Sequence, residues 1–132
     1  MLTVKMATQL GVLLLTMIVL DVVWLTATAT TSRTMIAAIQ GSPLQIRWIP
    51  AAFVYILMVV ATWFFAVQPA KTIGEAGING ALLGFCMYGL YDLTNYATLT
   101  RYTLSFALTD MAWGTLLLAT AAATAFAAAS LV

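Results

Sequence analysis

Four apolar stretches fill almost the whole of this 132-residue chain and constrain its fold more than any other feature. They cover residues 4–28, 48–67, 76–99 and 104–131, each close to the ~20 residues that a helix needs to cross a bilayer. Only 7% of the residues are charged, against about 25% in an ordinary soluble domain. So few charges cannot supply the polar surface of a soluble domain. The sequence therefore predicts one all-α domain over residues 1–132, a four-helix transmembrane bundle whose surroundings are the lipid bilayer.

The same composition excludes several classes of protein. A net charge of +1 leaves no basic stripe to neutralise phosphates, so nucleic-acid binding is excluded. The chain has one cysteine, Cys86, and no histidine, so it has neither an internal disulfide nor a histidine ligand or base. We predict no metal site and no cofactor. Asp21 and the lack of a small-x-small cleavage site favour a retained first span over a cleaved signal peptide.

The links between the apolar stretches are short, and the first link, residues 30–47, is the longest. Within it, residues 34–40 are expected to form one or two helical turns on the membrane surface. The sequence Gly-Ser-Pro at residues 41–43 then breaks the chain. Pro50 suits the first turn of the second span, because that position needs no backbone N–H.

Three aspartates fall at one depth in the predicted bundle. We call the side of the membrane on which the chain begins side A and the opposite side B. Asp21 and Asp92 lie about seven residues before the side B ends of the first and third spans, and Asp110 lies about seven residues inside the fourth. At a rise of about 1.5 Å per residue, all three carboxyl groups lie roughly 10 Å below the side B surface.

This placement indicates a function more than a packing role. Ionisable residues within a span cost about 2.5–3.5 kcal/mol each on insertion scales, so three at one depth are expensive. The alternative is a buried network of hydrogen bonds or ion pairs that determines how the helices pack. In either case burial and neighbouring carboxylates favour the neutral acid, whereas an arginine partner favours the charged form.

The cationic side chains are divided unequally between the two sides. Arg33, Arg47 and Arg101 fall at or beyond the side B ends, whereas Lys5 and Lys71 belong to side A. Because arginine side chains extend several ångströms along a helix, we expect Arg47 or Arg101 to reach at least one of the aspartates. By the positive-inside rule, side B lies in the cytoplasm and both termini lie outside.

Aromatic and polar side chains share helix faces with the aspartates. Asp21 and Trp24 are three residues apart, as are Asp110 and Trp113, so each pair lies on one face. These two Asp-x-x-Trp units run in opposite directions relative to the membrane. In the third span one stripe carries Tyr88, Asp92, Asn95 and Tyr96, and it continues toward side A as Gly77, Ala81 and Gly84.

The predicted ligand or proton pocket opens toward side B and combines these polar, aromatic and arginine residues. Its members are Asp21, Trp24, Arg47, Tyr88, Asp92, Asn95, Tyr96, Arg101, Asp110 and Trp113. No residue is assigned a catalytic role. Tryptophans near a membrane surface also serve as interfacial anchors, a role that describes Trp48 well and Trp113 poorly.

Three segments carry a resemblance to a known family: Asp21–Leu25, Tyr88–Leu99 and Asp110–Gly114. The chain resembles, over essentially its whole length, the small predicted membrane proteins classed as domain of unknown function two-one-seven-seven. The element Tyr-Asp-Leu-Thr-Asn at residues 91–95 is the most specific part of the resemblance. The resemblance implies a four-span protein of a bacterial or related organism with no established activity, and we expect it in the bacterial inner (plasma) membrane. It transfers no catalytic residue.

Three functions are compatible with this pattern. The first is that the pocket binds or transports a proton, a cation or a lipid-like ligand, since intramembrane carboxylates can exchange a proton for a cation. One four-span copy is too small for two gates around a central path, so we expect a homo-oligomer or a larger membrane complex. The second is an accessory subunit that packs through its Gly and Ala faces. The third is a lipid-modifying enzyme in which two aspartates act as acid and base or hold a divalent ion.

Overall fold

The computed structural model describes residues 3–131, which form four helices and contain no strand. The helices are α1 (Val4–Gln40), α2 (Trp48–Thr62), α3 (Ile73–Thr98) and α4 (Leu104–Ala128). A π-helical turn, Trp63–Val67, continues α2, and a 3₁₀ turn, Ala129–Leu131, follows α4. The predicted all-α, four-helix fold is confirmed.

Three of the helices are long and apolar enough to cross a membrane. They are α1, α2 together with its π-helical turn, and α4. Helix α3 has 26 residues, which is long enough to cross a bilayer, but its glycine, asparagine and tyrosine residues lower its hydropathy. The crossing of the membrane by α3 therefore stays a prediction.

Threonine side chains begin three of the four helices. The Oγ1 atoms of Thr3, Thr72 and Thr103 each accept a hydrogen bond from the backbone N–H three residues later, at 3.1–3.2 Å. Helix α2 begins at Arg47 without a side-chain cap, and Pro50 occupies its first turn. Helix α1 ends at Gly41, whose φ of 73° lies in the left-handed region that glycine adopts without strain.

Helix α1 is longer than the sequence indicates. The expected surface turns at residues 34–40 are part of one continuous helix of 37 residues, about 55 Å long. The hydroxyl groups of Thr28 and Ser32 donate to carbonyls one turn earlier, so these polar side chains are satisfied within the helix. Near its end, Met35 packs against Tyr102 and Ala107. This contact gives the extension a tertiary partner.

Helices α3 and α4 form the closest contact of the bundle. A Cβ atom at Gly84 would collide with the carbonyl group of Gly114, and one at Gly80 would collide with the carbonyl of Leu118. The ring of Tyr88 lies directly on Gly114. The glycines let the two backbones approach each other, as small residues do in membrane helix pairs.

The π-helical turn lies at the side A end of α2. The Gln68 N–H donates to the Trp63 carbonyl at 2.8 Å, which is the wider spacing of a π turn. The Ala66 carbonyl accepts a hydrogen bond from Asn79 of α3 at 3.5 Å. The indole of Trp63 donates to the buried Gln9 of α1 at 3.0 Å. These contacts join three helices at this end.

Candidate functional site

The two Asp-x-x-Trp units of α1 and α4 bond to each other. The Trp24 indole N–H donates to Asp110 Oδ1 at 2.8 Å, and the Trp113 indole N–H donates to Asp21 Oδ1 at 3.1 Å. The two indoles stack with ring centres 4.9 Å apart and planes 4° from parallel. Because the helices are antiparallel, the three-residue spacing places each tryptophan opposite the aspartate of the other unit.

Two tyrosines donate further hydrogen bonds to the aspartates. The Tyr55 hydroxyl of α2 donates to Asp21 Oδ2 at 2.8 Å, so both oxygens of Asp21 have a donor. The Tyr102 hydroxyl, in the link between α3 and α4, donates to Asp92 Oδ1 at 2.5 Å. We call Asp21, Asp92, Asp110, Trp24, Trp113, Tyr55 and Tyr102 together the aspartate–aromatic site.

Sequence reasoning missed both tyrosines. Tyr55 lies at the depth of the aspartates, about seven residues inside the side B end of α2, so the same depth argument identifies it. Tyr102 carries no such signal, because it lies in a link and its side chain is buried only by tertiary contacts. Burial and the hydrogen bond to Asp92 raise the pKa of the Tyr102 phenol above its ordinary value, so it remains a donor at neutral pH.

Asp92 is the most buried of the three aspartates. Its exposed fraction is 0%, and its Oδ2 atom has no hydrogen-bond partner among the described residues. Its carboxyl group and that of Asp110 lie close enough to interact. Asp21 is 8% exposed, and Asp110 is half-buried. Asp110 is therefore the most accessible carboxylate of the group.

The rest of the predicted stripe on α3 divides into residues inside and outside this site. Tyr88 is half-buried and lines both cavities of the site together with Asp110. Asn95 is half-buried beside Tyr102. Tyr96 lies on the outer surface and is 46% exposed, contrary to the expectation that it shares the pocket. Each step of four residues turns a helix by about 40°, so two steps from Tyr88 rotate Tyr96 away from the interior.

The arginines do not occupy the places that the sequence suggests. Arg101 donates to the Ala38 carbonyl at 3.0 Å, and Arg47 is exposed at the start of α2. The hydrogen bonds that the aspartates receive in the described part of the chain come from indole and phenol groups. The reason is the length of α1, whose last carbonyls extend to Arg101 and attract its guanidinium group.

A cavity of about 350 Å³ adjoins the site on side B. Its polar and aromatic lining consists of Asp21, Trp24, Thr28, Ser32, Tyr55, Tyr88, Tyr91, Tyr102, Phe106 and Asp110. Apolar side chains, among them Leu25, Val54 and Met58, form the rest of its wall. A second cavity of about 390 Å³ also contains Asp110 and Tyr88. Volumes of this size are typical of small-molecule sites.

The residues of the site have the chemistry to accommodate a positively charged ligand. Indole and phenol donors stabilise a carboxylate but carry no positive charge, and the faces of aromatic rings attract cations. Within residues 3–131, no set of three side chains drawn from His, Cys, Asp and Glu is arranged to hold a metal ion.

Comparison with known proteins identifies the family of the chain. No curated protein and no solved structure has significant similarity to it. A family described as "Predicted membrane protein (DUF2177)" matches residues 6–127. This range contains all three aspartates and both Asp-x-x-Trp units. The resemblance seen in the sequence is thus confirmed, and the chain belongs to the predicted membrane protein family DUF2177.

Proposed function

We propose that this membrane protein binds a small monovalent cation at the aspartate–aromatic site, with Asp110 as the carboxylate that contacts it. One observation carries the proposal: three carboxyl groups converge in a bundle of apolar helices, and their hydrogen bonds come from neutral aromatic donors. A group of carboxylates without a cationic partner attracts a cation more strongly in a medium of low dielectric constant than in water.

The lining of the cavity favours a cation that carries apolar groups. Tyr55, Tyr88 and Trp24 present aromatic rings beside Asp110, and such rings are the usual partners of quaternary ammonium groups. Met58 and Val54 provide apolar contact for alkyl substituents. We therefore infer that the ligand is an organic ammonium ion rather than a strongly hydrated inorganic ion.

We further propose that binding serves transport, and that a homo-oligomer carries it out. The lining residues Thr28, Ser32 and Leu44 come from the side B part of α1 and the link after it, which supports a cavity that opens toward side B. Toward side A the close contact of Gly80 with Leu118 blocks a path between α3 and α4. A second copy of the chain would supply the second gate that one copy lacks.

A role as an accessory subunit is the main alternative, and Asp110 distinguishes the two. If the aspartates served only to pack the helices, each oxygen would be expected to have a partner inside the bundle, as in Asp21. Asp110 instead lines both cavities, where packing does not require a carboxylate.

The test is a titration with tetramethylammonium chloride, followed by tryptophan fluorescence of the protein in lipid nanodiscs. Trp24 contacts Asp110 directly and stacks on Trp113, so a cation at Asp110 is expected to change their emission. The variants Trp48→Phe and Trp63→Phe, made together, remove the two tryptophans outside the site. We expect a saturable response that is lost in Asp110→Asn.

Glu75→Gln is the matched control, since Glu75 is an exposed carboxylate at the start of α3 that accepts from the Lys71 backbone N–H. It should respond as the wild type does. A wild type without a saturable response, or equal responses of the wild type and Asp110→Asn, would contradict the proposal.

A further inference from the structure

Asp92 has an unsatisfied oxygen that the proposed cation site does not explain. Its Oδ1 atom accepts from Tyr102, but its Oδ2 atom is buried and has no partner among the described residues. Buried polar atoms are almost always hydrogen-bonded, because an unmade bond costs the full desolvation of the group. An ionised Asp92 with one bare oxygen is therefore an unfavourable state.

The groups that surround Asp92 indicate what kind of hydrogen-bond partner its Oδ2 atom needs. Asp110 approaches from α4, Tyr102 from the link, and Tyr88 from its own helix. Beyond Tyr88 lies the bonded pair of Asp21 on α1 and Tyr55 on α2. All of these groups are acids, so none of them supplies a positive charge. Arg101, the cation of the link, is bonded to the Ala38 carbonyl instead.

We propose that Asp92 and Asp110 share one proton, and that a cation bound at Asp110 displaces it. Two neighbouring carboxyl groups within a medium of low dielectric constant do not both ionise. A proton on Asp92 Oδ2, donated toward Asp110, supplies the missing partner. The second half of this inference rests on the proposed function, whereas the shared proton does not.

The exchange conserves charge. Before binding, the Asp92 O–H donates to the Asp110 carboxylate, and the pair carries one negative charge. When a monovalent cation binds, the O–H bond breaks, its electron pair stays on Oδ2, and the proton leaves through the cavity to buffer. The two carboxylates and the cation again carry one negative charge in total. One cation enters for each proton released.

Infrared spectroscopy of the protein in nanodiscs without added organic cation tests the shared proton. We expect the carbonyl band of a protonated carboxyl group at neutral pH in the wild type and in Glu75→Gln. The band should be lost in Asp92→Asn, because a lone Asp110 beside an amide ionises. A wild type without the band, or an unchanged band in Asp92→Asn, overturns the shared proton.

Proton release on addition of tetramethylammonium to weakly buffered protein tests the exchange. We expect about one proton per cation bound in the wild type, and an apparent Kd that falls by up to about tenfold per unit rise in pH. Asp92→Asn should bind tetramethylammonium without releasing a proton and without this pH dependence.

Binding of the cation without proton release in the wild type overturns the exchange but does not contradict the cation site. A carboxyl band without binding overturns the cation site and the exchange together. If Asp92→Asn does not insert into the membrane, the infrared band and the proton release of the wild type still test the shared proton and the exchange.

Discussion

At the residue scale, the reciprocal bonds between α1 and α4 are unequal. Within the described residues, Asp21 receives two hydrogen bonds, from Trp113 and Tyr55, whereas Asp110 receives one, from Trp24. Removing the indole donor leaves Asp110 without an aromatic donor, whereas Asp21 keeps its bond from Tyr55 when Trp113 is replaced. The two tryptophans are therefore not equivalent, although their sequence motifs are.

We predict that Trp24→Phe destabilises the protein by about 1–3 kcal/mol and Trp113→Phe by less, because Tyr55 still donates to Asp21 in the second variant. Phenylalanine keeps an aromatic ring in the stack. Thermal unfolding in detergent measures the difference. Trp48→Phe is the control, since Trp48 is 75% exposed, and it should unfold with the wild type. Equal losses for Trp24→Phe and Trp113→Phe would show that stacking alone matters.

A second pair of variants tests the link tyrosine. Tyr102→Phe removes the hydroxyl that donates to Asp92 Oδ1 and is expected to cost about 1–3 kcal/mol, whereas Tyr96→Phe on the outer surface should be neutral. Folding raises the pKa of Tyr102, so its contribution is complete below the unfolded value near 10 and is lost as the pH rises above it. The stability difference between the wild type and Tyr102→Phe should thus shrink in alkaline buffer. A difference that grows there would contradict the assignment.

At the scale of elements, the contact between α3 and α4 determines how closely Asp92 approaches Asp110. Gly84 lies against the Gly114 carbonyl, and Tyr88 fills the space above Gly114. A residue larger than glycine at position 84 or 114 would push apart α3 and α4, the helices that carry Asp92 and Asp110. The small-residue contact and the aspartate–aromatic site are parts of one helix pair.

We predict that Gly84→Ala destabilises the protein by about 1–3 kcal/mol, because its Cβ overlaps backbone rather than a flexible side chain. It should also weaken the infrared band of the shared proton by moving Asp92 away from Asp110. Gly11→Ala is the matched control, since a Cβ there meets nothing within 4 Å. That variant should be neutral or slightly stabilised by the better helix propensity of alanine. Similar stabilities for both variants, measured by unfolding in detergent, would contradict the close contact.

At the scale of the whole molecule, large apolar side chains cover much of the outer surface, whereas the three aspartates are buried or half-buried. Large hydrophobic side chains such as Leu15, Phe53, Leu90 and Leu116 are more than half exposed. In a bilayer this arrangement is stable, because lipid tails solvate the outer face while the helices satisfy their own backbone. The interior is thus where the chain concentrates its carboxyl groups.

Cysteine labelling tests the path of the chain through the membrane. In a Cys86→Ala background, we expect Gln68→Cys to react with an impermeant maleimide in intact cells, whereas Ser42→Cys and Thr100→Cys react only after lysis. These positions are exposed in the links. The expectation follows from the excess of arginine on side B. If the maleimide labels both Thr100→Cys and Gln68→Cys in intact cells but does not label Ser42→Cys, then α3 does not cross the membrane. Reaction of all three in intact cells would show dual insertion.

The sequence by itself determined the membrane class and the number of helices, and it predicted a common depth for the aspartates. These properties follow from local quantities: the hydropathy of each stretch, the rise per residue and the turn per residue. The same quantities place Asp21 with Trp24 and Asp110 with Trp113. They also identify Tyr55 once its distance in residues from the side B end of α2 is counted.

Only the tertiary structure decided which groups the aspartates bond. Trp24 and Asp110 are 86 residues apart, and Trp113 and Asp21 are 92 apart. Such pairs depend on the order of the helices in the bundle and on the rotation of each about its axis, and hydropathy determines neither. The same holds for Arg101, which turns to the end of α1 because that helix continues to Gln40. The partner of a buried charge is therefore decided by packing, because packing determines which donors reach it.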